Sequence, residues 1–161
     1  MKTVGLDIST CLGMALVDAF GEDRGKTVAV PRERGFLRLQ LIAQDVERTL
    51  EAWEPDLVVI EGYAYTKNIS SFVVLVEIGT VIRMMLYRMG WVWMEVPVTV
   101  LKKWTAGKGN AKKDQMALAV KQRWGYESHS DDIIDAYALA RMGQLGVEGM
   151  LKISGVTCHH Q

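Results

Sequence analysis

An acidic side chain interrupts the first apolar segment of this chain of 161 residues. The stretch "MKTVGLDISTCLGMALVD" reads as two apolar strands, at residues 2–9 and 13–19, joined by a short turn, and Asp7 lies within the first strand. An ionised carboxylate in an apolar sheet costs several kcal/mol unless cations or hydrogen bonds compensate it. The rest of the chain must therefore supply a compensating partner for Asp7.

Composition places the chain among ordinary globular proteins, with 49% hydrophobic and 24% charged residues and a formal net charge of zero. A neutral total gives no whole-molecule field that would attract nucleic acid or a membrane. Cys11 and Cys158 lie too far apart to suggest a disulfide framework or a metal motif, which favours a reducing compartment. The start shows no basic segment followed by an apolar one, so we expect a cytoplasmic protein.

Hydrophobic periodicity predicts one α/β domain over residues 1–146 around a mixed sheet, followed by an irregular tail at residues 147–161. Besides the first two strands, the pattern predicts strands at 26–30, 57–60 and 91–96 and helices at 34–53, 71–89, 98–104, 112–124 and 131–145. The apolar run 57–60 is typical of a central strand, which Glu61 ends. The most hydrophobic run, 72–94, contains Glu77, Arg83 and Arg88, which argues against a membrane span.

Further carboxylates occupy positions that such a fold can bring together. Asp132 and Asp135 are three apart on the last helix and therefore share a face, which Asp131 can also join. If this helix meets the ends of the strands that carry Asp7 and Glu61, the carboxylates form one pocket, where they cannot all stay ionised without cations. Oxygen ligands of this kind suit Mg²⁺ or Mn²⁺, and two such ions about 3.5–4 Å apart can hold the attacking and leaving oxygens of a phosphodiester.

Each acidic residue also has an explanation that involves no catalysis. A lone aspartate in a strand often serves a turn or cap, and Glu61 can simply end its strand at the surface. The "SDD" sequence at residues 130–132 is typical of helix capping and dipole compensation. The residues alone leave both interpretations open.

Four stretches occur in order along the chain: "VGLDISTCLGMALVD", "VVIEGYAYTKN", "LKKWTAGKGNAKKDQM" and "DIIDAYALA". In order and spacing they resemble the motifs of RuvC, the Holliday-junction resolvase family of the RNase H-like or retroviral-integrase superfamily, over residues 2–145. The resemblance implies that the catalytic, metal-binding carboxylates are Asp7, Glu61, Asp132 and Asp135.

The same resemblance implies an RNase H-like fold with a five-stranded mixed sheet flanked by helices. It implies an endonuclease with two Mg²⁺ or Mn²⁺ ions per site, which cuts phosphodiesters to leave 5′-phosphate and 3′-hydroxyl ends. RuvC proteins pair through the helix that corresponds to residues 71–89, so a homodimer with one site for each of two opposed strands is implied. The candidate interface residues on this helix are Val73, Val76, Val81 and Leu86, and the apolar pattern does not show which face points outward.

Positive charge is concentrated between residues 102 and 123, a segment that contains seven Lys and Arg residues and only one acidic residue, Asp114. This segment is either a solvated helix face or a surface for phosphates. The resemblance favours phosphates and puts Lys102, Lys103 and Lys113 beside the scissile bond, with Lys113 predicted to stabilise the transition state. The residues predicted to bind DNA are Tyr63, Tyr65, Lys67, Asn68, Lys102, Lys103, Lys108 and Lys112.

Two departures from the family pattern bear on the substrate. The turn after Asp7 reads "DIST" where RuvC has "D-P-G" or similar. Where the family places a bulky apolar residue that enters the junction centre, this chain has Ala64, flanked by Tyr63 and Tyr65. This divergence resembles the bacteriophage branch, whose members cut branched DNA more broadly, so the predicted partner is a four-way junction or other branched DNA, in a host cytoplasm if the protein is phage-encoded.

Two other functions remain as alternatives. The first hairpin also resembles that of an actin-like phosphate-binding protein, but that fold needs two lobes and this length supplies one. The second is a catalytically silent module that binds branched DNA. The presence of all four acidic residues argues against it.

Overall fold

A computed structural model describes residues 1–28 and 31–159, in which a six-stranded mixed sheet lies between two layers of helices. The strands are β1 (Lys2–Asp7), β2 (Gly13–Asp18), β3 (Arg24–Thr27), β4 (Leu57–Glu61), β5 (Trp93–Val96) and β6 (Thr157–His159). The helices are α1 (Gly35–Trp53), α2 (Ile69–Arg88), α3 (Val98–Ala106), α4 (Lys113–Trp124), α5 (Asp131–Gly143) and α6 (Gly146–Leu151). The strand order is β3-β2-β1-β4-β5-β6.

Strand β1 is central, antiparallel to β2 and parallel to β4. Because side chains alternate along a strand, β1 presents different residues to the two helical layers. Val4 and Leu6 belong to the core formed with α1 and α2. On the other face, the Thr3 hydroxyl donates to the Ala140 carbonyl of α5 at 2.8 Å. Asp7 has the same parity as Thr3 and therefore faces the α5 side.

Glycine allows α5 to lie directly on the strands. A Cβ on Gly5 would stand 1.8 Å from the carbonyl oxygen of Ala136, and one on Gly13 would stand 2.3 Å from the carbonyl oxygen of Asp132. Both distances are too short for any other residue without moving the helix. These two glycines therefore set how closely the first turns of α5 approach the strand that ends at Asp7.

The structure corrects two sequence predictions at the C-terminal end. The sheet has six strands where five were expected, because Thr157–His159 pairs antiparallel with the edge of β5, and the ring of His159 stacks on Trp93 with centroids 3.9 Å apart. The tail predicted to be irregular at residues 147–161 also contains α6, whose Met150 is fully buried, and its residues 160 and 161 lie outside the described part of the chain. Strand β6 was not predicted because its pairing with a strand about 60 residues earlier produces no local hydrophobic pattern in the sequence.

Two further boundaries differ. The third strand is Arg24–Thr27 and not 26–30, and residues 29 and 30 lie outside the described part of the chain. Helix α2 starts at Ile69 and not at the predicted residue 71, because the Asn68 side chain caps it by accepting from the Ser71 amide at 3.0 Å.

Within the described residues, α2 is the one helix long and apolar enough to cross a membrane, with a mean hydropathy of 1.9 over its most apolar window. Core helices of globular proteins meet the same criterion. In this fold one stripe of α2, including Ile78, Ile82 and Leu86, packs on the sheet. This packing supports the prediction, made from the charges in the segment, that it is a helix of the domain and not a membrane span.

Candidate active site

Asp7 and Glu61 end two neighbouring parallel strands. The register that pairs Leu6 with Ile60 brings the next residues, Asp7 and Glu61, side by side at the same sheet edge. Both are buried, 5% and 9% exposed, and their carboxyl groups share a hydrogen bond. The carboxylate that interrupts the first apolar segment therefore finds its first partner in a second carboxyl group.

Helix α5 brings the other two acidic residues to this edge. The Ser130 hydroxyl caps the helix, as predicted, by accepting from the Ile133 amide at 3.4 Å. The first turns of α5 then place Asp132 and Asp135 close enough to act electrostatically on both Asp7 and Glu61. The structure thus brings together all four carboxylates that the sequence singled out.

Burial dominates the electrostatics of the pocket. It raises the pKa of Glu61 to about 7 and that of Asp135 to about 6, since removal from water disfavours the charged form. It also raises the pKa of Asp7 well above its usual value, and the charges of Glu61 and Asp135 raise it further. All three carboxyl groups therefore keep their protons to a higher pH than free carboxyl groups do, as expected of clustered acids without a cation.

Two lysines face the carboxylates. Lys102, half-buried on α3, lowers the pKa of both Glu61 and Asp135 by its charge. Lys113, exposed at the start of α4, forms an ion pair with Asp131 at 3.1 Å, and this hydrogen bond raises the pKa of Lys113. Sequence reasoning assigned catalysis to Lys113 and DNA binding to Lys102. The structure puts both beside the pocket.

The donor set fits hard divalent cations. It consists of carboxylate oxygens, which Mg²⁺ and Mn²⁺ prefer. The raised pKa values show that the clustered negative charges are uncompensated, and bound cations would compensate them. Among residues 1–28 and 31–159, however, no three acidic, histidine or cysteine side chains already stand at the spacing that holds one ion. Asp7 and Glu61 are turned towards each other instead.

The loop between β4 and α2 leaves the same edge. Tyr63 is 43% exposed, and the guanidinium carbon of Arg83 lies 4.0 Å from the centroid of its ring. Tyr65 is 83% exposed, and among the described residues its ring contacts only that of Phe72. Lys67 and Asn68 are exposed at the end of the loop. The cap on α2 uses the side-chain oxygen of Asn68, which leaves the side-chain amide nitrogen as its donor at this edge.

The basic segment divides into two parts. Lys103, Lys108 and Lys112 are exposed on α3 and the following loop, as a phosphate-binding surface requires. Lys121 instead pairs with Glu127 at 3.0 Å, and the Arg123 guanidinium lies against Trp104 and Trp124 and donates to the Trp104 carbonyl at 2.6 Å. His129, whose role the sequence left open, is exposed before α5.

One contact of the site escaped sequence reasoning. Arg83 pairs with Glu95 at 2.9 Å and donates to the backbone carbonyl of Glu61 at 3.3 Å. In the sequence, Arg83 served only to argue against a membrane span. A charge in the middle of an apolar helix was the available signal, but nothing in the pattern names its partner.

Comparison with known proteins gives one family. The profile described as "Crossover junction endodeoxyribonuclease RuvC" matches residues 9–142, a range that contains Glu61, Asp132 and Asp135 and begins just after Asp7. The RuvC of Synechococcus sp. (strain WH7803) is 32% identical over 108 residues, which cover 66% of this chain and 70% of that protein. The RuvC of Carboxydothermus hydrogenoformans is 25% identical over 161 residues, covering 94% and 100%.

Solved structures agree on the fold. Thermus thermophilus RuvC superimposes with a TM-score of 0.75 at 22% identity, covering 92% of this chain and 96% of that one. The T. thermophilus RuvC in complex with Holliday junction substrate gives 0.78 at 21% identity, covering 95% and 97%. The predicted RNase H-like fold is therefore confirmed.

Proposed function

Since the chain belongs to the RuvC family of crossover junction endodeoxyribonucleases, we propose that it is a metal-dependent endonuclease that resolves Holliday junctions by paired cuts. The observation that carries this proposal is the meeting of Asp7, Glu61, Asp132 and Asp135 at one sheet edge, with Lys102 and Lys113 beside them. A nuclease needs both halves of this arrangement: carboxylates that bind metal ions, and lysines that bind phosphates.

The four carboxylates would hold two Mg²⁺ or Mn²⁺ ions. Such ions supply an activated water and stabilise the leaving 3′-oxygen, which gives 5′-phosphate and 3′-hydroxyl ends. Burial raises the pKa of Glu61 to about 7 and holds the pKa of Asp7 well above its usual value, and bound cations would oppose both shifts because they favour the ionised carboxylates.

The lysines act on the phosphate side of the site. Lys113 carries its charge on a flexible exposed side chain and would stabilise the additional negative charge of the transition state. Lys102 is held closer to Glu61 and Asp135 and would orient the scissile phosphate against them. Lys103, Lys108 and Lys112 would bind neighbouring phosphates and make affinity depend on salt.

The loop after Glu61 would enter the junction. Tyr63, Ala64 and Tyr65 follow the catalytic glutamate after a single glycine, and Tyr65 presents most of its ring to solvent. Aromatic rings stack on unpaired bases regardless of sequence. Lys67 and Asn68, further along the loop, would hold the flanking backbone.

Paired cuts require two active sites in two-fold relation, so we propose a homodimer. Helix α2 is suited to the interface because it exposes Ile69, Val73 and Met84 on the face turned away from the sheet. Beside them α1 exposes Phe36, and a groove of about 710 Å³ lies between the two helices. Of the interface residues that the sequence suggested, Val73 faces outward, but Leu86 is fully buried in the core.

The proposed setting is the cytoplasm, that of the host if the gene is viral, with four-way junctions as substrate and other branched DNA as a broader possibility. The deciding experiment incubates the protein with synthetic four-way junctions, Y-forks and linear duplex, with Mg²⁺, with Mn²⁺ and without divalent ions. We expect metal-dependent paired nicks in the junction. Binding without cleavage under all conditions would favour the silent module, and no binding of branched DNA would contradict the proposal.

A further inference from the structure

Arg83 connects the active site with the opposite side of the sheet. It lies on α2, which covers the face away from α5, and its side chain is only 14% exposed. From there its guanidinium donates to the backbone carbonyl of Glu61 at 3.3 Å, where β4 ends. The carboxylate of Glu61 faces α5, while its backbone is held from the α2 side.

The same guanidinium makes four further contacts. Its Nε and one terminal nitrogen both approach Glu95 Oε2 at 2.9 Å, on strand β5. The other terminal nitrogen donates to the Gly79 carbonyl at 3.0 Å, which fixes the side chain against its own helix. The planar group also lies over the Tyr63 ring, 4.0 Å from the centroid. Five donors in a rigid plane allow an arginine to serve all these partners at once, which a lysine cannot do.

Tyr63 is held from a second direction. Its hydroxyl lies 3.0 Å from that of Thr80 on α2. A Cβ on Gly79 would stand 2.6 Å from the Tyr63 ring and 2.8 Å from the Arg83 guanidinium, so the helix, the arginine and the ring are in direct contact. The first part of the loop is thereby fixed, while Tyr65 beyond it remains exposed.

We propose that Arg83 is a positioning residue for cleavage: it fixes the end of β4 and the ring of Tyr63, and thus sets Glu61 and the junction-entering loop in one geometry. The inference rests on the proposed function and deepens it. It also joins α2, the helix proposed for pairing, to the catalytic glutamate.

Two measurements separate positioning from simple stabilisation. The first is the single-turnover cleavage rate at saturating protein, compared with junction affinity in metal-free buffer. The second is the fluorescence of 2-aminopurine at the junction centre, also without metal, which reports whether the loop unstacks the bases. Melting temperature is recorded for each variant, and assays are run where all are folded.

For Arg83→Gln we expect affinity within about twofold of wild type, a cleavage rate lower by about tenfold to a hundredfold, and a smaller 2-aminopurine signal, because small displacements of reacting groups cost that much. Arg83→Lys keeps the charge without the plane and should recover only part of the rate. Tyr63→Leu keeps the ion pair, is safe for folding at an exposed position, and should lose the fluorescence signal while retaining more of the rate.

Arg141→Gln is the matched control. Arg141 pairs with Asp23 at 3.0 Å, and its side chain is 27% exposed against 14% for Arg83, but it does not contact β4 or the loop. It should lower the melting temperature and leave rate and fluorescence unchanged. If Arg83→Gln cleaves as fast as wild type, or if Arg141→Gln loses rate equally, the positioning role is wrong. If the wild-type protein cuts no branched DNA, the proposed function fails first.

Discussion

Helices α5 and α2 cover opposite faces of the same sheet and differ in how completely they are buried. Five consecutive residues of α5, from 136 to 140, are buried, so protein surrounds the helix on every side. On α2 the buried residues Ile78, Ile82 and Met85 recur every three or four positions and form one stripe. The α5 side is complete within one chain and holds the candidate site, while the outer face of α2 is apolar and uncovered.

The largest effect is expected on the complete side. Asp7→Asn removes one ligand from the carboxylate cluster without touching the lysines, and should lower cleavage at least about a hundredfold while junction binding persists. Binding can even tighten, since one negative charge near the phosphate is lost. Single-turnover cleavage and gel-shift titration with calcium in place of magnesium measure the two effects.

Asp114→Asn serves as control because it makes the same change on the exposed start of α4. It should cleave normally. Substantial cutting by Asp7→Asn would show that Asp7 is not a metal ligand. Of the four proposed ligands, Asp7 alone lies outside the range that the family profile matches.

This contrast between helices also explains what the sequence could predict. The α5 side followed from local signals in the sequence. Asp7 interrupts one apolar strand, Glu61 ends another, and a spacing of three puts Asp132 and Asp135 on one helix face. The four carboxylates meet where this helix reaches the strand ends, as the resemblance to RuvC implied. Helix α2 is apolar on more than one side, so its sequence could not tell which residues face outward, and of the candidates for the interface Val73 is exposed whereas Leu86 is buried.

Contacts between distant segments were beyond sequence reasoning. Strand β6 exists because residues 157–159 pair with β5, and no local period announces such pairing. The links of Arg83 to Glu95 and to the Glu61 carbonyl depend likewise on tertiary packing. What the sequence shows is that a charge interrupts an apolar helix, not what it binds.

The uncovered face of α2 gives the second prediction. Met84 is 66% exposed, and Met84→Glu would bury a charge at the proposed dimer seam, which costs on the order of 3 kcal/mol, or about two decades of dimer affinity. We expect monomers in sedimentation velocity that nick junctions without paired resolution. Leu118→Glu, on α4 at 54% exposure, introduces the same charge elsewhere and should remain dimeric. A Met84→Glu monomer that makes coupled cuts would contradict the dimer.

The third prediction concerns pH and returns to the complete side. Burial raises the pKa of Glu61 from 4.5 to about 7, so between these values the folded protein binds more protons than the unfolded chain. Stability from this group is therefore greatest below pH 4.5 and is lost as pH rises to 7, on the order of 3 kcal/mol in metal-free buffer. Melting temperature should fall less with pH in Glu61→Gln, and Mg²⁺ should remove the difference. An identical slope in both proteins would contradict this.

A smaller effect is expected for the lysine at the rim of the site. Lys113→Gln should lower the single-turnover rate about tenfold with little change in affinity, since one charge at the transition state is lost. Lys103→Gln should instead weaken binding and reduce the salt slope by about one. Lys121→Gln is the control on the same helix, because Lys121 also forms an exposed ion pair, with Glu127. Equal losses of affinity for Lys113 and Lys103 variants would remove the distinction.

The smallest effect is expected from the partner of Lys113. Asp131 holds that lysine at 3.1 Å, and both side chains are largely exposed, 48% and 75%. Exposed ion pairs contribute about 0–1 kcal/mol. Lys113 must leave this pair to bind a phosphate, which lowers the affinity for the junction by less than about fivefold. Asp131→Asn should therefore tighten junction binding by up to that factor, mostly at low salt where the pair is strongest. Glu127→Gln frees Lys121 in the same way but further along α4, away from the carboxylates, and should leave binding unchanged. A lower cleavage rate in Asp131→Asn with unchanged affinity would mean that Asp131 serves the metal site and not Lys113.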